Sequence, residues 1–85
     1  MAKDYVQINY AQAYHISAEA LLLFEQVQKN SDPRAEYDGV KKFTTSHSPA
    51  ENIAFFDAYE MANNEKSLNL KEIAKKISRP IDAEP

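Results

Sequence analysis

Gly39 is the only glycine in a chain of 85 residues. That removes most β architectures, because tight hairpins draw on Gly or Asn-Gly where φ must be positive. It also removes the glycine-rich loops that wrap phosphates. A helical chain is what remains, and the spacing of the apolar residues points the same way.

Leu, Ile, Val and Phe together number 18 residues, or 21% of the chain. This lies just above the roughly 20% below which chains tend to disorder, and the net charge is only −3. A folded chain is therefore expected, with one domain over residues 1–79 and a frayed tail over 80–85. A domain this small buries only about 60% of the surface its unfolded chain exposes, so its stability margin is thin. No cysteine is present to staple it or to hold a metal as thiolate, and a reducing, cytoplasmic setting is expected. No run approaches the ~20 apolar residues of a membrane span. Met1-Ala2-Lys3-Asp4 does not open a signal peptide, so no membrane partner is expected.

Val6, Tyr10, Ala13, Ser17, Ala20, Phe24 and Val27 recur at alternating spacings of four and three, one stripe of a helix. Leu21, Tyr14, Leu23 and Ile16 widen that stripe. The spacing predicts a first helix over about 4–29, with Asp4 as cap. A competing reading makes residues 5–10 a strand and starts the helix at Ser17. The stripe also meets the spacing of a coiled-coil seam, which would allow a homodimer through the first helix.

Asp32-Pro33 is a helix start signal and Gly39 a stop signal, which predicts one short helix over about 33–38. Tyr37, Val40 and Phe43 would then close over the core, and 44–48 would be a polar loop. Ser48-Pro49-Ala50-Glu51 is a capping box with Pro at the first position, opening a helix over about 49–63. Ser67 would cap the last helix, about 68–78, whose face is Leu70, Ile73, Ala74 and Ile77; Arg79-Pro80 ends it. The fold class expected is all-α, a small bundle of three main helices (about 4–29, 49–63 and 68–78) plus the short one.

Signals for chemistry are weak. Ser46-His47-Ser48 places hydroxyls beside an imidazole, but a nucleophile needs an oriented base and oxyanion donors, and Ser48 reads better as a cap. His15 and Glu19 share a helix face, with His47 on a loop, yet no paired-ligand spacing for zinc accompanies them. A calcium loop set on Leu68 and Glu72 would need Asp where Met61 stands and Gly where Lys66 stands. No metal, cofactor or enzymatic activity is expected.

Charge is uneven. Residues 1–65 carry five basic and ten acidic side chains, a balance of −5; residues 66–81 carry five basic and one acidic, a balance of +4. The string Leu68-Asn69-Leu70-Lys71-Glu72-Ile73-Ala74-Lys75-Lys76-Ile77 resembles the first helix of helix-turn-helix repressors. That resemblance implies a recognition helix after it, whereas the sequence continues Ser78-Arg79-Pro80. If the last helix itself entered a groove, Asn69, Lys71, Lys75, Lys76 and Arg79 would face nucleic acid or another acidic partner. The bland alternative is that Lys75, Lys76 and Arg79 offset the negative end of the helix dipole.

The helix over 49–63 has more apolar surface than one face can hold. Ala54, Phe55, Ala58, Tyr59, Met61 and Ala62 form a wide core side. At 100° per residue, Ile53 and Phe56 point away from it, among Asn52, Asp57, Glu60 and Asn63. An apolar pair within a polar rim has the anatomy of a contact patch; the alternative is a central helix covered on all sides. The function expected is a non-enzymatic adaptor, inhibitor or regulator that binds a protein partner through Ile53 and Phe56, with Asp57 and Glu60 as rim. Small acidic cysteine-free accessory proteins of phages and other mobile elements offer a compositional analogy. The alternative is a small DNA-binding transcriptional regulator using residues 67–79.

Overall fold

The computed structural model describes residues 5–31, 33–65 and 68–82. The elements run β1 (Tyr5–Gln7), α1 (Tyr10–Asn30), α2 (Pro33–Ser46), α3 (Pro49–Asn64), α4 (Leu70–Ile77) and β2 (Pro80–Asp82). The all-α bundle expected from the sequence is the architecture, with three longer helices and one short one, and the bounds of several elements shift.

α1 starts later than the stripe suggests. Asn9 caps it: its Oδ1 accepts from the Gln12 backbone N–H at 2.9 Å, and the Gln12 side chain accepts from the Asn9 N–H at 3.1 Å. That reciprocal pair satisfies two donors the first turn would otherwise leave open, which fixes the start at Tyr10 rather than at residue 4 or at Ser17. Asp4 and Asp32, expected as caps, lie outside the described residues. Ser31 ends α1 in the left-handed region at φ 50°, its N–H bonding back to Val27.

α2 runs through Gly39 to Ser46, so the stop expected at Gly39 does not form and the loop expected over 44–48 shrinks to His47 and Ser48. Glycine costs a helix only about 1 kcal/mol relative to alanine, and here it lets α1 approach. A Cβ at position 39 would stand 2.3 Å from Leu23 Cδ1. Thr44, Thr45 and Ser46 donate their hydroxyls to carbonyls one turn earlier, which suits them to a last helical turn. Phe43 is buried, Val40 half-buried and Tyr37 exposed.

α3 opens on the expected capping box. Ser48 Oγ accepts from the Glu51 N–H at 3.3 Å, and Glu51 accepts from the Ser48 N–H at 3.2 Å. Ala50, Ala54, Ala58 and Ala62 are buried along it, and Ala13 and Ala20 along α1. These small side chains permit close packing of the two helices, the most extensive pairing in the molecule. The larger core side chains are Ile8, Ile16, Phe55, Ile73 and Ile77. Ala13, Ser17 and Ala20, the middle of the seam that could have paired two chains, are buried within one.

α4 is capped by Asn69, whose Oδ1 accepts from the Glu72 N–H at 2.9 Å; the expected cap Ser67 lies outside the described residues. Its buried face is Ile73, Ala74 and Ile77. Beyond it, Pro80–Asp82 forms a strand where fraying was expected, and residues 83–85 lie outside the described residues. β2 pairs antiparallel with β1 in the register Tyr5–Asp82, Val6–Ile81 and Gln7–Pro80. The Ile8 N–H bonds to the Arg79 carbonyl at 3.1 Å, and Ser78 Oγ donates to the Ile8 carbonyl at 3.1 Å. The two ends of the described chain are thus clamped together beside buried Ile8 and Ile81.

Candidate partner-binding surface

The outward side of α3 is set by helical geometry. With the alanines and Phe55 turned inward, residues 53, 56, 57 and 60 occupy the opposite arc. Ile53 remains 38% exposed and Phe56 48% exposed, whereas neighbouring Phe55 is 1% exposed. Glu60 is exposed and Asp57 half-buried. The four residues proposed from sequence therefore share one face.

Phe56 rests on a layer of packed aromatic rings. Its ring meets Phe55 edge-on, with centroids 6.1 Å apart and planes at 75°. Phe55 stacks on Phe43 at 4.1 Å, and Phe43 on the imidazole of His47 at 3.7 Å. Tyr59 continues the aromatic layer toward Phe24, at 5.8 Å. Its hydroxyl donates to Glu36 on α2 at 2.7 Å. Burial, and then the bond to Glu36 and its charge, push the Tyr59 phenol up to about 12.

Asp57 is not a free rim carboxylate. Its Oδ2 accepts from Nη2 of Arg79, just beyond α4. The acidic rim of α3 and the basic end of α4, read separately in the sequence, meet at this pair. Asn69 is likewise committed, as the cap of α4. Lys71, Lys75 and Lys76 are exposed on the outward face of α4, beside Glu72.

The other sequence candidates resolve into local structure. Ser46 Oγ donates to the Lys42 carbonyl, and Ser48 Oγ donates to Glu51 at 2.9 Å. His47 Nδ1 sits 2.8 Å from the Phe43 carbonyl, which requires it to donate there. His15 Nε2 lies 3.3 Å from Glu19 Oε1 on an exposed face. Among the described residues no group of three His, Asp or Glu side chains is placed to hold a metal ion. Among them, too, no helix is long and apolar enough to cross a membrane.

A shallow groove of about 270 Å³, not foreseen from the sequence, lies between α1 and α2. It is lined by Leu22, Leu23, Phe43, Phe55 and His47, with Glu19 and Lys42 among its polar residues. Leu22 is exposed and falls off the core stripe. Helical angles alone would have singled it out.

No protein-family model, no curated protein and no solved structure matches the chain.

Proposed function

We propose that this chain is a non-enzymatic adaptor, inhibitor or regulator that binds a protein partner through the outward face of α3. Ile53 and Phe56 are the anchor, and Glu60 with the Asp57–Arg79 pair is the rim. The observation that carries this reading is that both apolar side chains stay exposed while Phe55, next to them, is fully enclosed. With about half of each side chain already covered, complete burial would add roughly 2 kcal/mol. That is too little to hold a complex alone, so the rim and neighbouring backbone supply the rest. A cytoplasmic accessory role of the kind found in phages and other mobile elements is compatible with the composition, and composition alone supports it.

The test is capture of bound protein from source cells with the chain and two variants. Phe56→Asp is expected to lose the bound protein while the melting temperature stays within a few degrees. Lys75→Glu with Lys76→Glu is expected to keep it. A steep fall in melting temperature for Phe56→Asp, or capture unchanged by it, would overturn the reading.

A second reading, a DNA-binding transcriptional regulator, is favoured by the exposed face of Lys71, Lys75 and Lys76. Two of its five contact residues, Asn69 and Arg79, are occupied within the chain. A DNA complex would weaken steeply with added salt and fail in the double lysine variant.

A further inference from the structure

The outward face of α3 carries charge of one sign. The helix is 16 residues long and holds Glu51, Asp57 and Glu60 but no Lys, Arg or His. Glu65 follows as its C-cap. Ile53, Phe56, Asp57, Glu60 and Asn64 fall within one arc about 100° wide and about 16 Å long. The arc is apolar at its start and acidic toward its end. Past Phe56 the surface dips into a recess of about 290 Å³, lined by Asp57, Glu60, Met61, Asn64 and Glu65. Glu60 and Glu65 are exposed, and neither side chain has a partner among the described residues.

Two further observations favour a cation there. The last turn of a helix leaves partial negative charge on its open carbonyls, which a basic group offsets. α1 has Lys29 in its last turn and α4 has Lys75 and Lys76, whereas α3 has no basic residue in its own. The chain also already seats a guanidinium on this face, through the bond of Arg79 to Asp57. Among the described residues Arg79 is the one cation bonded to it.

We propose that the partner segment is a basic amphipathic helix. Its apolar side chains cover Ile53 and Phe56, and one to two turns along it an Arg or Lys enters the recess. This rests on the outward face of α3 being the binding face. A helix of about three turns matches the length of the arc. A long basic side chain suits the recess, because its stem can lie on half-buried Met61 while its head reaches Glu60 and Glu65. The same carboxylates repel an acidic segment, so they select the partner as well as hold it.

The probes are two helical peptides of about 15 residues with the same leucine face. One is flanked by Arg and Lys, the other by Glu. In NMR titrations the basic peptide is expected to shift the amides of Ile53, Phe56, Glu60 and Asn64, and the acidic one to leave them in place. Glu60→Lys with Glu65→Lys should weaken the basic peptide at least about fivefold. Glu25→Lys with Asp38→Lys makes the same change in net charge at exposed sites on α1 and α2. At about 0.15 M salt it should alter affinity less than about twofold. No shift on α3 with the basic peptide, or equal losses in the two double variants, would overturn the proposal. Equal binding of both peptides, abolished by Phe56→Asp, would overturn it and leave α3 as the binding face. Shifts that gather elsewhere and ignore Phe56→Asp would remove that face as well.

Discussion

Arg79 donates through Nη2 to Oδ2 of Asp57, so the end of α4 is tied to the face of α3 that carries Ile53 and Phe56. The pair also closes a small circuit, because the backbone of Arg79 receives the Ile8 N–H. One residue thus connects the N-terminal strand, the last helix and the candidate binding face. Both side chains keep a third or more of their surface in water, so the pair is partly screened. A double-mutant cycle of Asp57→Ala and Arg79→Ala should give a coupling of about 1 kcal/mol. In about 1 M salt, where screening acts within roughly 3 Å, the coupling should fall toward zero. Urea unfolding of the four proteins at low and high salt measures it.

Phe55 and Phe56 are adjacent in sequence and opposite in consequence. Phe55 stacks on Phe43 in the core, and Phe55→Ala should destabilise by about 3–5 kcal/mol. Phe56→Ala should cost under about 1 kcal/mol, the range of surface substitutions. Equal losses in chemical denaturation would mean that Phe56 is part of the interior.

Gly39→Ala sets two effects against each other. The helix gains about 1 kcal/mol of propensity, while the new methyl collides with Leu23. Overpacking of this kind costs about 1–3 kcal/mol, so a net loss of about 1 kcal/mol is expected. In a Leu23→Ala background the collision is gone and Gly39→Ala should stabilise. Failure of the sign to reverse between the two backgrounds would show that α2 accommodates the added methyl by some other adjustment.

Tyr59 gives the fold an alkaline limit. Its phenol is held protonated to about pH 12 in the folded chain, against an ordinary value near 10. Below pH 10 both folded and unfolded chains keep the proton, and stability does not depend on it. Between about 10 and 12 the unfolded chain releases the proton and the folded chain does not. Stability therefore falls as pH rises through that window. Tyr59→Phe, which has no proton to lose, should flatten that part of the profile. Denaturant midpoints measured across it for both proteins provide the check.

Much of the helical framework was legible in the sequence because its signals are local. Ser48, Pro49 and Glu51 lie within one turn and announce α3 without help from the rest of the chain. The outward aim of Ile53 and Phe56 followed from 100° per residue alone. The start of α1 was legible too, in Asn9 and Gln12, but the apolar stripe continuing back to Val6 obscured it. What failed was non-local. Nothing around Gly39 says that Leu23 will pack against it, so a residue usually read as a stop sits mid-helix. Residues 5–10 could be read as a strand, and β1 falls within them, but nothing near either end announces the pairing, since each strand acquires its partner from the far side of all four helices. The pairing of Asp57 with Arg79 is of the same kind. It joins two faces that charge counting had kept apart.

The clamp between Ile8 and Arg79 also bears on how the molecule is made. A ribosome releases the first strand long before it has built the segment that receives it. Until residue 79 has been added, the amide of Ile8 lacks the carbonyl that it bonds in the folded chain. The loop this contact closes runs through every helix of the bundle, which makes its closure entropy large.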